Sequence, residues 1–225
     1  MTECEPTGSP RAVTRGEPWW PVVLAITVAA ALHVALPARY RIQPAWVVPV
    51  VLFVLVAALV VGDPGRIDRQ GPWLRALTAV VIVALTAANL VAGGRLIHDI
   101  LTADKTFADN ADGLLATGAV VWVTNVIAFS LWYWDLDRGG AAARAHRPNR
   151  PPAFVFPEMV QTEFVDQPWT PTFVDYLSLG FWTATAFSPT DVSAVKPWAK
   201  LLMMVEAFAS LALAALVIAR AINVL

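Results

Sequence analysis

The sequence predicts an all-α membrane bundle with about five transmembrane helices and one short re-entrant helix. Three observations carry that prediction. The chain is 57% hydrophobic with a mean hydropathy of +0.59, well above the roughly 45–50% apolar content of soluble domains. Its apolar residues fall into runs near the ~20 residues that cross ~30 Å of hydrocarbon. Eight of the ten tryptophans (Trp19, Trp20, Trp46, Trp73, Trp132, Trp134, Trp169 and Trp198) sit near the ends of those runs. An amphipathic indole prefers the headgroup level, so they read as an interfacial belt.

Residues 1–18 are polar and carry Pro, Gly and Ser, which predicts a disordered tail. Trp19–Leu36 is the first span, closed by Pro37. Its length, and the lack of a small-x-small end, favour a retained helix over a signal peptide. Pro44–Gly62 is the second span, stopped by Gly62-Asp63-Pro64-Gly65. Trp73–Leu101 contains the third, most apolar over Leu77–Ala92. Leu114–Trp134 is the fourth, so residues 19–134 form a four-helix membrane region. Residues 135–171 are a connecting loop. It opens with Asp135, Asp137 and Arg138, runs through a basic, Pro-rich stretch, and reaches Phe154-Val155-Phe156-Pro157, an apolar patch expected on the membrane interface. Residues 172–225 form a hairpin: a half-helix, a polar kink and a last span, Pro197–Ile218. There is no internal repeat.

The half-helix has its own start and stop signals. Thr172 and Asp175 stand at Ser/Thr-x-x-acid spacing, where Thr can cap free amides and a carboxylate meets the positive helix end. A helix from about Pro171 to Ala186 is ~22 Å long, short of a bilayer. Pro189 removes a backbone donor and ends it. Irregular backbone at membrane depth survives only when buried in protein or lining water.

Thr185-Ala186-Phe187-Ser188-Pro189-Thr190-Asp191, followed by Trp198-Ala199-Lys200, resembles the pore region of the tetrameric potassium-channel superfamily. There a pore helix ends in T-T-V-G-Y-G-D and the inner helix opens W-G-R. The likeness covers Phe173–Asn223, under a quarter of the chain. It implies a pore-like hairpin whose filter-like segment is Thr183, Thr185, Ala186, Phe187, Ser188, Pro189, Thr190 and Asp191, with a monovalent cation and a second copy of the chain as partners. Glu206 matches an acid carried by some bacterial inner helices. The run from Asp175-Tyr176 to Thr190-Asp191 also resembles a bacterial integral membrane protein family of unknown function, which implies no activity.

The departures from the channel pattern are severe. A potassium filter needs glycine where alternate residues turn left-handed and aim carbonyls at the axis. Ser188 and Thr190 stand at those positions, and a β-branched residue at positive φ is an outlier. Pro189 replaces the tyrosine, and Ser210 stands at the inner-helix hinge glycine. The expectation is a channel-like or ion-transport-related membrane protein without a K⁺-selective filter. The alternative is a non-conducting structural or accessory membrane protein. A secondary transporter with a broken helix is a third reading, against which the missing repeat counts.

Orientation follows from Lys and Arg. With the half-helix re-entrant, one side collects Arg11, Arg15, Arg66, Arg69, Arg75, Arg138, Arg144, Arg147, Arg150, Lys196 and Lys200. The other keeps Arg39, Arg41, Arg95, Lys105 and Arg220. The first side is expected to be cytoplasmic, in a multi-pass protein of the cell inner (plasma) membrane surrounded by the lipid bilayer. That places Asp191 near the cytoplasm, as in an inverted pore hairpin of the glutamate-receptor kind.

The remaining polar residues carry paired readings. Glu206, inside the last span, is costly there and defaults to a functional role, against a plain tertiary hydrogen bond. Asn89 and Asn125 read as interhelical hydrogen-bonding groups, and Ser210 with Ala214 as a small-xxx-small packing face. His33 reads as an interface residue. Asp135, Asp137 and Arg138 read as a solvated helix end rather than a cation site. The net charge of −1 argues against a nucleic-acid partner. A single cysteine, Cys4, excludes an intrachain disulfide and a Cys-based metal site. The three histidines lack metal-ligand spacing. No cofactor and no enzyme signature is present in the sequence.

Overall fold

The computed structural model describes residues 16–62, 66–67, 71–102, 110–146, 150–161, 163, 169–185 and 191–224. Seven helices dominate: α1 (Trp20–Ala35), α2 (Val47–Gly62), α3 (Pro72–Leu101), α4 (Ala111–Leu136), α5 (Ala141–His146), α6 (Phe173–Thr185) and α7 (Pro197–Val224). Four two-residue strands form two antiparallel pairs. β1 (Glu17–Pro18) pairs β2 (Arg66–Ile67), and β3 (Phe154–Val155) pairs β4 (Ser193–Ala194).

Local sequence sets the helix ends. Pro21 and Pro72 occupy the first turns of α1 and α3, where proline loses no intrahelical bond. Asn110 caps α4, its side chain accepting from Gly113 N at 2.7 Å. Helices α3, α4 and α7 are long and apolar enough to cross a membrane. Helices α1 and α2 are shorter, at 16 residues each, about 24 Å of helix.

Helix α4 is the central post. Two-thirds of its apolar window (67%) is buried, against 33% for α3 and 22% for α7. A helix buried on all sides must be apolar all round, and the run Val126–Leu131 is buried at every position. Three contacts fix the direction of α7 against it: Val217 on Gly118, Ser210 on Asn125, and Glu206 on Tyr133. The two helices are therefore antiparallel. Tyr176 on Asp137 and Gly180 on Ser130 make α6 antiparallel to α4 as well. So α6 and α7 both begin at the Asp137 end of α4. The β3–β4 pair, with Val195 N donating to Ala153 O at 2.9 Å, holds the chain at that end just before α7.

Among the described residues, basic groups lie at both ends of the bundle. Arg138, Arg144 and Arg150 lie at the Asp137 end, and Lys196 and Lys200 are at the adjoining start of α7. At the other end, Arg95 donates to the carbonyls of Arg39 and Arg41, and Asp99 accepts from Arg39 at 2.6 Å and from Tyr40 at 2.8 Å.

Several expectations change. The polar tail stops short of residue 17: Glu17–Pro18 form β1, and the Glu17 side chain is buried. Phe154 and Phe156 do not lie on the interface. They are buried in the core, because β3 carries them beneath α6 and α7. Trp134 is buried too, its indole taken up by Glu17, whereas Trp20, Trp46 and Trp73 are exposed. Asp135 and Asp137 are buried rather than solvated, and residues 135–146 are largely helical rather than loop. His33 is buried inside the bundle, not set at an interface.

Candidate functional site

The site assembles where α4, α6 and α7 meet. Helix α6 has buried residues at Phe173, Tyr176, Leu179, Gly180, Thr183 and Ala184, the spacing of one helical face. Its opposite face exposes Val174, Phe181 and Trp182. Gly180 lies so close to α4 that a β-carbon there would stand 2.3 Å from Ser130 Oγ and 3.3 Å from Val126 O. Only glycine permits that approach.

Glu206, on α7, is fully buried at this junction. Tyr133 OH, on α4, donates to Glu206 Oε2. Oε1 has no hydrogen-bond partner among the described residues, and the place a Gly180 β-carbon would occupy is 3.4 Å from it. The free oxygen thus faces the gap that glycine leaves between α6 and α4. A carboxyl inside a span that lacks a cationic partner is expensive, and such groups mark ion or proton paths by default.

A polar chain continues along the same helix interface. Asn89 Nδ2 donates to Asn125 Oδ1 at 3.3 Å, and Asn125 Nδ2 donates to Ser210 Oγ at 3.0 Å. These bonds link α3, α4 and α7, in keeping with the interhelical role expected for both asparagines. Ser210 is buried on the small-residue face of α7, and nearby Gly118 admits Val217.

Aromatic rings close the Asp137 end above Glu206. Tyr133 meets Phe154 edge-on at 5.1 Å, and Phe154 meets Trp198 at 6.0 Å and Tyr176 at 6.3 Å. Above that layer lies a buried ion network. Asp137 accepts from Tyr176 OH at 2.7 Å and from Ala153 N at 2.6 Å. Arg144 donates to the carbonyls of Trp134 and Asp137, at 2.6 and 3.2 Å, and to Glu17 Oε2 at 3.4 Å. Its guanidinium lies over the rings of Tyr176 and Trp134. Glu17 also accepts from Trp134 Nε1 at 2.9 Å and from Phe173 N. Burial pushes the Glu17 carboxyl above its ordinary range, and the Arg144 guanidinium pulls against that shift.

The filter-like segment divides. Thr183 is buried and Thr185 is partly exposed; their hydroxyls donate within α6, to Leu179 O at 2.8 Å and Trp182 O at 2.9 Å. Asp191 is exposed beyond the helix. Ala186, Phe187, Ser188, Pro189 and Thr190 lie outside the described residues. The start of α6 differs in detail from the expected cap: Thr172 N and Oγ1 both donate to Asp175, at 2.7 and 2.9 Å, while Glu17 supplies the acceptor for Phe173 N.

Sequence reasoning identified Glu206 but missed Tyr133, Gly180, Glu17 and Arg144. Two signals were present: an arginine inside Ala141–Ala145, and an acid just before the first apolar run. No family model, no curated protein and no solved structure matches this chain.

Proposed function

We propose that the chain is a multi-pass protein of the cell inner membrane, related to ion transport, whose ion-handling group is Glu206 rather than a carbonyl filter. One observation carries this: a fully buried carboxyl with one free oxygen, at the junction of the hairpin and the central helix. In this reading α1 and α2 complete five spans with α3, α4 and α7, and α6 is re-entrant. The shared starting end of α6 and α7 supports that arrangement. The Asp137 end, rich in Arg and Lys, is cytoplasmic.

The test is flux. The purified chain is reconstituted in liposomes, and K⁺ and Na⁺ fluxes are measured separately at several pH values and voltages. The expected outcome is flux that discriminates poorly between the two ions, because Ser188, Pro189 and Thr190 replace the residues that build stacked carbonyl rings. Glu206→Gln is expected to abolish it. Strong K⁺ preference, or full flux in Glu206→Gln, overturns the proposal.

A second reading rests on the packing at Gly180 and the inward bonding of Thr183 and Thr185. In it the hairpin is sealed against its own α4, and the protein is a non-conducting structural or accessory membrane protein. Absence of any flux favours that reading. Topology is tested independently with Ser193→Cys, His146→Cys and Thr102→Cys in a Cys4→Ser background. All three positions are exposed in the folded chain. An impermeant thiol reagent applied to intact cells is expected to label Thr102→Cys only.

A further inference from the structure

A cavity lies away from Glu206, among the Asp137 end of α4 and helices α1, α2 and α3. Its volume is about 370 Å³. Val22, Ile26, Val56, Val60, Val81 and Ile82 give it an apolar wall. Its polar groups are few: Asp135, Arg75, Thr78 and Arg150.

Asp135 is the informative residue. It lines the cavity and is 7% exposed, and no hydrogen bond or ion pair joins its carboxylate to another described residue. Neither Arg75 nor Arg144 forms an ion pair with it among the described residues. Buried acids are ordinarily paired or hydrogen-bonded. Gly140, at φ +91°, sits beside it: a β-carbon there would be in ordinary contact, 3.5 Å from Asp135 Oδ1. Arg75 and Arg150 are both exposed, and Arg150 is held by its bond to Arg138 O at 3.0 Å.

This lining asks for three things in one molecule. An unpaired carboxylate wants a cation that can donate hydrogen bonds. Two guanidinium groups want an anion, phosphate above all. The aliphatic wall wants a hydrocarbon chain. We propose that the cavity binds a zwitterionic aminophospholipid, its ammonium on Asp135, its phosphate at Arg75 and Arg150, and an acyl chain against α1–α3. A primary ammonium has three N–H donors. A trimethylammonium head has none, and a glycerol head brings no cation to Asp135.

The site is tested with the full chain in dodecylmaltoside. Lysophospholipids with a brominated acyl chain and ethanolamine, choline or glycerol heads are titrated, and tryptophan fluorescence is followed, since Trp19 and Trp134 line the cavity. Saturable quenching is expected, with the ethanolamine lipid about tenfold or more tighter than the other two, as for one charge-assisted hydrogen bond. Phosphoethanolamine lacking the chain is expected not to compete at matched concentration, which separates a lipid from a free headgroup. Asp135→Asn should erase the preference over the choline lipid. Arg75→Gln should weaken all three lipids alike. Equal affinity for the three heads, non-saturable quenching, or an Asp135→Asn protein that keeps its preference overturns the proposal. The headgroup ranking is read on the unaltered chain, so it decides the matter even where a variant fails to fold.

Discussion

Replacing Gly180 by alanine isolates the contact that lets α6 lie against α4. The new β-carbon would stand 2.3 Å from Ser130 Oγ and 3.3 Å from the Val126 carbonyl. Ser130 has little freedom to yield, because it is fully buried and its hydroxyl already donates to Val126 O at 2.7 Å. Helix α6 must therefore back away, and overpacking of this kind costs about 1–3 kcal/mol. Alanine also gains about 1 kcal/mol over glycine in a helix interior, which masks part of the loss. Gly94→Ala supplies the correction. Gly94 is on α3, and nothing lies within 4 Å of its β-carbon position, so that variant gains the propensity and meets no clash. The difference between the two variants is then the packing cost itself. Both are measured by SDS titration of the purified protein, followed by far-UV circular dichroism. Gly94→Ala is expected to move the midpoint up and Gly180→Ala to move it down. Ser130→Ala in the Gly180→Ala background should recover stability, because it removes the 2.3 Å contact and leaves only those at 3.3 and 3.4 Å. A Gly180→Ala protein as stable as Gly94→Ala would refute the close-approach argument.

Three further outcomes follow from the same geometry. Asn125→Ala severs both its bonds, to Asn89 and to Ser210, and should cost about 1–2 kcal/mol in the SDS titration, with Asn89→Ala costing less. Gly118→Ala sets a β-carbon 2.7 Å from Val217 Cγ1; it should lower stability, and Val217→Ala in the same chain should restore it. Glu17→Ala removes the carboxylate partner of buried Arg144 and the acceptor for Phe173 N. It should cost about 3–5 kcal/mol in thermal melting, the usual penalty for orphaning one member of a buried pair, and should speed amide exchange at the start of α6.

Much of the helical framework was legible because apolar run length is a direct readout of helix length in a bilayer. The runs that became α3 and α4 were bounded within a few residues, and the start of α7 was placed at Pro197, though the helix continues past the expected Ile218 to Val224. What misled was the stretch after Trp134. Asp135, Asp137, Arg138 and Arg144 look like a solvated loop by composition, and a solvated loop needs no partner. Here Arg144 and Asp137 are buried against partners that lie far along the chain: Glu17 for Arg144, Tyr176 and Ala153 for Asp137. Composition prices charges one at a time, whereas burial depends on pairs. The apolar Phe154–Val155 patch failed for the converse reason. Hydrophobicity says that a segment leaves water, not whether it enters lipid or protein.

The same ambiguity explains why only part of the candidate site could be read. Valine, leucine and alanine on α4 and α7 are equally content against lipid tails or against one another, so they leave the rotation of each helix undetermined. Polar groups inside the apolar runs break that degeneracy, since each must find a mate. Glu206, Asn89 and Asn125 could therefore be singled out as inward-facing from sequence. Their mates could not. Tyr133 is 73 residues from Glu206, and a tyrosine at the end of a span reads equally well as an interfacial anchor. Gly180 carries no polar side chain at all; it shows itself only through what a β-carbon would strike. A site made of one acid, one phenol and one missing side chain is thus visible in sequence at the acid alone. Its other members join it only through the antiparallel packing of α6 and α7 on α4, which brings all three together.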